Sequence, residues 1–443
     1  MDLIAEENRT VEQLTNRARV TIAYLISAPT ESSHAGNRIS LRHELEGAYI
    51  AQWHHNHDDD GVIADGVPLL RLLVANNGNR AVHWEPVVDQ LIELADDPYP
   101  LLAVVGLGSS LDTTRQAIAR LDAHRIPMVA TVITADDMST TDQPVKHLVR
   151  VAPTNTDEVK VAAKYLKDVL GPGVHKPLIV RDANTGDLFT QTLVKAFRDQ
   201  LKATVREIPD ETYDSTLPNI PAAFAPMMAN VCQHGPDVVY YAGRGGDLGL
   251  FVKAMAKRPC DLHIDIVTGD SAANLANQLN GPAVDTELVA SLKSNITLRF
   301  TGLAHPDIWH SSFVPALKPN YLRLECEHCF HGLFPNERQD DGRAIMAYDA
   351  MQLTITAVQH AIGQTDPRQH DPSTYRGEMV QRWSQFHGTN AIAGASGWIS
   401  LQNGVPEHKA IPILELTPDS VRFVRVSASS SDGKPFVPAP PNP

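Results

Sequence analysis

Residues 102–137, LAVVGLGSSLDTTRQAIARLDAHRIPMVATVITADD, constrain the fold more than any other stretch. An apolar run at 102–105 stops at Gly106-Leu107-Gly108-Ser109-Ser110. An amphipathic stretch follows, then a second apolar run at 128–133 and a polar turn at 134–137. The order is strand, Gly/Ser turn, helix, strand, polar turn. Parallel strands joined in this way carry both turns on one sheet edge, where open α/β sheets bind ligands. The first turn offers backbone N–H groups at a helix start and two hydroxyls, which suits a carboxylate or phosphate.

The alternation recurs along the chain. Residues 20–26 (VTIAYLI) read as a buried strand. Residues 41–53 read as a helix with Leu41, Leu45, Ala48 and Gln52 on one stripe, 69–74 as a strand and 87–95 as a helix. A second set of similar size starts with a strand at 177–180, ending in RDANTGD. A helix follows with Phe189, Leu193, Phe197 and Leu201 at spacing four, then a strand at 205–208 and a helix at 220–232. A strand at 238–241 ends in AGRGGD, a helix spans 248–256, and a strand at 264–268 ends in GDS. Residues 298–303 are strand-like, and 344–362 form a long helix. Short strands at 397–401, 411–416 and 421–426, with turns at Asn403-Gly404 and Pro418-Asp419, read as an antiparallel meander. At 443 residues the chain is too long for one ordinary core. The expected fold class is α/β, with two doubly wound parallel-sheet (Rossmann-like) lobes.

Composition narrows the function. With 38 Lys+Arg against 52 Asp+Glu the formal charge is −14, and basic runs are absent, which argues against nucleic acid as a partner. No apolar run reaches about 18 residues, so no membrane span is expected. The N-terminus is polar and lacks a signal peptide, which leaves a cytoplasmic protein or a fragment freed of its export signal. The Pro-rich tail GKPFVPAPPNP reads as a linker or a disordered end. Cys326 and Cys329 form a CxxC beside His328 and His331. A local disulfide or inert thiols is the reading preferred to zinc, while Cys232 and Cys260 stand isolated. The cluster His54-His55-Asn56-His57-Asp58-Asp59-Asp60 reads as a solvated loop at a helix end rather than a transition-metal site. No metal and no cofactor are expected. Gly106-Leu107-Gly108 begins a GxGxxG, but Leu111 stands at its third Gly position, so the dinucleotide fingerprint fails; GxSxG, HExxH and the P-loop are absent.

Five segments in order carry a resemblance: GLGSS with RIPMVATVITADD; HLVRVAPTNTDEVKVAAKYL; PDVVYYAGRGGDLGLFVKAM with VTGDS; AIMAYDAMQLTITAV; and GASGWISLQNGVPEHKAIPILEL. Over residues 20–426 the chain resembles the type 1 periplasmic binding protein fold, specifically the branched-chain amino-acid (Leu/Ile/Val) receptors of ABC transporters. The resemblance implies two lobes joined by a three-strand hinge, with a ligand cleft between them. The expected division is 1–17 as an N-terminal extension, 18–146 plus 303–372 as lobe 1, 147–302 plus 373–427 as lobe 2, and 428–443 as a tail. Its implied function is non-catalytic binding or sensing of an amino acid or related carboxylate, read by an ABC transporter permease or a sensor partner domain. The resemblance favours an extracytoplasmic place, with cytoplasmic left open by the polar start. Ser109 matches the carboxylate-binding Ser, with Ser110 beside it. Val132 matches a backbone contact, Thr134 a hydroxyl contact and Asp270 the ammonium-binding acid. Thr185 and Arg244 fall where the family has Tyr, which points to a ligand more acidic or more polar than leucine; Arg244 would hold a second carboxylate or a phosphate.

Each residue also has a structural reading. Ser109 and Ser110 suit a cap for the helix starting at Leu111, Asp136 or Asp137 the cap near Thr134, and Asp270 a cap after its strand. Arg244 between glycines suits a solvated loop, and Thr185 and Asp187 suit turn chemistry. Tyr24, Trp53, Tyr240, Tyr241 and Trp398 suit core or hinge packing, with Tyr241 also placed to line the cleft. The competing functions are an interaction or regulatory module with a degenerate cleft and, less favoured, a nucleotide-dependent oxidoreductase.

Overall fold

A computed structural model describes residues 1–28, 35–58, 60–139, 145–171, 176–201, 208–279, 284–314, 320–363 and 371–439. The first sheet holds β1 (Arg19–Ile26), β2 (Leu69–Asn76), β3 (Leu101–Gly106), β4 (Met128–Ala130) and β5 (Leu148–Arg150). All are parallel, in the order β2-β1-β3-β4-β5. The second contains β6 (Pro177–Asp182), β7 (Glu211–Tyr213), β8 (Val238–Ala242), β9 (Ile264–Thr268) and β10 (Ile296–Thr301), also parallel. Two small hairpins follow, β11 (Ile392–Gly394) with β12 (Gly397–Ile399), and β13 (Leu401–Gln402) with β14 (Val405–Pro406). Then β15 (Ile411–Leu416) and β16 (Val421–Ser427) join the second sheet antiparallel beside β10, giving β16-β15-β10-β9-β8-β6-β7. Strands β1, β3 and β8 are buried along their whole length, as continuous apolar runs require when helices cover both faces.

Helices α1 (Asp2–Gln13), α2 (Ala35–Asn56), α3 (Trp84–Glu93) and α4 (Asp112–Ala123) belong to the first lobe. Helices α5 (Asn155–Leu170), α6 (Leu188–Leu201), α7 (Ile220–His234), α8 (Gly245–Met255), α9 (Ala273–Leu279) and α10 (Thr286–Ser291) belong to the second. The chain then returns to the first lobe with α11 (Phe330–Leu333), α12 (Arg343–Ile362) and α13 (Pro372–Trp383). The parallel two-lobed architecture matches the sequence expectation. Three crossings join the lobes, after β5, after β10 and between β14 and β15.

Several boundaries differ. Tyr375, Met379 and Trp383 of α13, with Phe386, Ile392 and Leu401, pack into the first lobe's core, so 373–402 belong there rather than to lobe 2. The sequence of that stretch is compatible with either lobe; only its tertiary apolar partners decide. The first strand of the expected meander pairs with β11 rather than β15. Strand β4 ends at Ala130, short of the expected 133, and β5 at 148–150 lies in the first sheet although 147 was the expected start of lobe 2. Of the expected strand at 205–208, residues 205–207 lie outside the described residues; β6 is flanked by β8 on one side and by β7 on the other. Helix α1 is docked rather than appended: Ile4 is in the core, Glu7 is buried, and Asn8 Nδ2 donates to the Leu72 carbonyl at 2.8 Å.

The His-rich segment is no solvated loop either. His55 is buried against the Pro68 carbonyl, and the Trp53 ring stacks on His57 and His328. Asp59 lies outside the described residues. Cys326 and Cys329 form the local disulfide, and the isolated Cys232 and Cys260 are joined as well.

The tightest helix contact sets up the site. A Cβ on Gly47 of α2 would lie 2.1 Å from the Ala344 carbonyl oxygen of α12, so backbone meets backbone there. A Cβ on Gly377 of α13 meets nothing within 4 Å. Gly47→Ala is therefore expected to destabilise by about 1–3 kcal/mol through overpacking. Gly377→Ala is expected to stabilise by roughly 0.5–1 kcal/mol through lost chain entropy. Urea unfolding of both variants checks the opposite signs.

Candidate functional site

At the end of β3 the chain takes three left-handed residues in a row, Gly106 (φ 92°), Leu107 (φ 71°) and Gly108 (φ 75°). Side chains at the two glycines would strike the Leu25 carbonyl and the Ser27 hydroxyl, at 2.8 and 2.5 Å. The turn therefore folds back onto β1 and presents the next two serines differently. Ser110 points inward, where its hydroxyl accepts from the N–H groups of Thr134 and Ala135 at 3.2 Å each. It clamps together the two turns of the first sheet. The Ser109 hydroxyl faces a cavity of about 310 Å³ between the lobes and has no protein partner among the described residues. Neither serine caps α4, which starts at Asp112 without a side-chain cap. The Asp112 N–H instead donates across the cleft to the Gly186 carbonyl at 3.0 Å.

Val132 lines the same cavity. Thr134 is buried beneath it and donates to Asp270 Oδ1 at 3.4 Å, bridging the lobes. Asp270, after β9, is 4% exposed and sits behind the cavity wall. Its N–H donates to Glu158 Oε2 at 3.1 Å. Burial raises both carboxyls above their ordinary range. The neighbouring Asp270 charge raises Glu158 further, while Arg343 and Arg244 restrain Asp270.

Arg244 lines the cavity, but its fork is occupied. Nε and one terminal nitrogen hold the two oxygens of buried Asp187 at 2.7 and 2.8 Å, and the same terminal nitrogen donates to the Ser110 carbonyl at 3.1 Å. The solvated-loop reading gives way to a strut between lobes, while Arg244 keeps its place on the cavity wall. Besides Ser110, Thr134 and Asp270, two further expected residues lie off the cavity wall. Tyr241 is fully buried in the second lobe, its hydroxyl 2.6 Å from that of Tyr213. Thr185 is exposed in its turn and does not line the cavity.

The sequence reading missed the wall made by α2 and α12. Asn37, Ser40 and Glu44 lie at i, i+3 and i+7 on α2 and line the cavity together with Arg343 at the start of α12. Glu44, raised by burial, accepts from the Tyr24 hydroxyl at 3.2 Å and lies 3.5 Å from the Arg343 guanidinium. The second lobe answers with amides: Asn274 accepts from Ser40 at 2.9 Å and donates to Asn37 at 3.0 Å. Asn277 donates to Ser40 and to Asp341, at 3.1 and 2.9 Å. A polar stripe on the lobe-facing side of α2 was the available signal. Asp247, raised to about 6 by burial and by the charge of Asp182, completes the acidic side.

Behind the wall, His43 holds Asp341 at 2.8 Å and Glu337 at 3.2 Å. Burial alone would lower His43, but the charge of Asp341 and its hydrogen bond outweigh it and lift the imidazole to about 9. Among the described residues, two groups bring metal-ligating atoms within 4.8 Å of one another. His54 with Cys326 and Cys329 offers sulfurs already joined to each other; His43 with Glu337 and Glu46 overlaps the His43–Glu337 pair just described.

No family model and no curated protein sequence matches the chain. Solved structures do match in fold. A leucine-binding protein from Thermotoga maritima has a TM-score of 0.65 at 16% identity, covering 92% of this chain and 98% of its own. A branched-chain amino-acid transporter substrate-binding protein from Streptococcus pneumoniae, in complex with isoleucine, has a TM-score of 0.61 at 17% identity, covering 93% and 99%. A solute-binding protein of an ABC transporter from R. palustris, in complex with benzoate, has a TM-score of 0.63 at 13% identity, covering 95% and 98%.

A histidine whose folded pKa is raised lends stability that is complete below its unfolded value near 6.5 and is lost as pH rises through the folded value. The melting-temperature gap between the wild type and His43→Gln is therefore expected to be widest below about pH 6.5 and to close as pH passes about 9. Thermal melts from pH 6 to 10 check it; a gap independent of pH would contradict the charged pairing.

Proposed function

We propose that this two-lobed fold, the fold of the type 1 periplasmic binding proteins, serves here as a non-catalytic receptor that closes on a small polar ligand. The ligand is an amino acid or a related carboxylate. One observation carries the reading: a cavity of about 310 Å³ at the carboxyl ends of parallel strands, walled by both lobes and lined by charges of both signs. The unpartnered Ser109 hydroxyl, on a turn leading into a helix start, is the anion-receptive corner. Glu44 and Asp247 on the wall, with Asp270 behind it, supply the acidic side for an ammonium. Val132 and Arg244 shape the walls, while Ser110 and Thr134 hold the turns in place. The titratable groups serve recognition, so the chain is not an enzyme. An extracytoplasmic setting is supported by the two disulfides. No described helix is long and apolar enough to cross a membrane. The closed form is read by an ABC transporter permease or by a sensor domain.

A second reading, an interaction module with a degenerate cleft, is favoured by one feature: Thr134, Ser40 and Arg244 already bridge the lobes to protein partners. A thermal-shift screen with amino acids, dicarboxylates, small phosphates, aromatic acids and nicotinamide cofactors separates the two. Ligand at 100 times its Kd is expected to add about 2.7 kcal/mol of stability, and Ser109→Ala to weaken binding by roughly 5–10-fold through loss of one hydrogen bond. A blank screen would favour the module, and stabilisation by nicotinamide cofactors alone would favour an oxidoreductase.

A further inference from the structure

Three guanidinium groups line the cavity, and they differ in what already holds them. Arg80 is exposed. Arg244 is engaged by both oxygens of Asp187 and by the Ser110 carbonyl, with the Phe189 ring 4.6 Å beneath it. Arg343 is different. Its side chain is 10% exposed, and its buried Nε has no partner. Its terminal nitrogens reach Asn274 Oδ1 at 3.3 Å, Glu44 Oε1 at 3.5 Å and Asp270 Oδ2 at 4.0 Å, all long and none bidentate. A guanidinium offers five donors in a fixed fork, and leaving them unmet in a buried wall is costly.

The mount of Arg343 is rigid although its fork is loosely held. Gly342 (φ 72°) packs so closely that a Cβ would lie 2.6 Å from the Ala304 carbonyl oxygen. Asp341 Oδ1 accepts the Arg343 N–H at 3.0 Å, and His43 fixes Asp341. The group also stands at the N-terminus of a 20-residue helix, whose dipole favours an anion there. The two nearest carboxyls, Glu44 and Asp270, are themselves buried and stand off from the guanidinium at 3.5 and 4.0 Å.

We propose that Arg343 recognises a second carboxylate at the far end of the ligand, so that the cleft selects small dicarboxylic acids, acidic amino acids among them. The inference rests on the reading of the cleft as a ligand site. One carboxylate meets the Ser109 turn; the other completes the Arg343 fork beside Asn274. A singly charged carboxylate fits a wall that also carries Glu44 and Asp247, whereas a phosphate dianion would meet those acids with one more negative charge.

Calorimetry on the full chain with L-glutamate, glutarate, L-glutamine, L-leucine and inorganic phosphate tests this. The wild type is expected to bind glutamate or glutarate about 30-fold or more tighter than glutamine and leucine. Arg343→Met is expected to remove most of that preference, weakening glutamate and glutarate binding far more than glutamine binding. Arg343→Lys, which keeps the charge without the fork, is expected to fall between. Should the Met variant not fold, the wild-type ratio and the Lys variant decide alone. Leucine, glutamine or phosphate bound as tightly as the dicarboxylates would overturn the proposal and leave the receptor reading standing. No binding of any of these ligands, together with a blank thermal-shift screen, would overturn both.

Discussion

The cleft depends on the place where the α2 backbone meets the α12 backbone. With no side chain at Gly47, the Ala344 carbonyl packs directly against α2. Glu44 is one turn before Gly47, and Arg343 is the residue before Ala344. The close approach that a glycine permits is thus what brings a buried acid and a buried base to the same height on one wall. A wider helix separation would carry Arg343 away from Glu44 and Tyr24 and open the floor of the cavity. The glycine costs helix propensity; what it secures is position.

The interlobe region is also where the protein departs most from ordinary economy of charge. Glu44 stands within reach of Arg343, Asp270 feels both Arg343 and Arg244, Glu158 lies against Asp270, and burial raises all three carboxyls. Buried charges of this kind are weak contributors to stability. The continuous apolar clusters on both faces of each sheet carry that burden, which leaves the cleft free to be polar. The same division appears at the third crossing. There Lys409, lowered to about 8 by burial, donates to Ser396 at 2.6 Å, and Asp349 of α12 accepts from the Ala395 and Ser396 backbone.

Much of the fold was legible because it rests on local signals. Apolar runs of strand length ending in Gly, Ser and Asp turns marked β1, β3, β6, β8 and β9, and the GLGSS turn lies at the cleft as its position on the sheet edge implied. What failed was pairing at long range. Arg244 reads as a loose loop residue until Asp187, 57 positions earlier, is placed beneath it. Arg343 follows a run of polar residues that reads as an ordinary helix start, and Glu44 is some 300 positions away. Tyr241 was ambiguous for a different reason: β8 is buried on both faces, so the two-residue alternation that would show a side chain's direction is missing. The allegiance of 373–402 was hidden likewise, since its apolar residues suit either core.

The covalent cross-links add a mechanical consequence. Cys232–Cys260 ties the end of α7 to the loop before β9, wholly within the second lobe. Cys326–Cys329 closes a short ring beside Phe330, wholly within the first. Neither spans a crossing. Oxidation therefore stiffens each half of the molecule as a separate plate and adds no spring between them. The two halves are joined to each other only by three short backbone links and, among the described residues, by the polar contacts that meet across the gap.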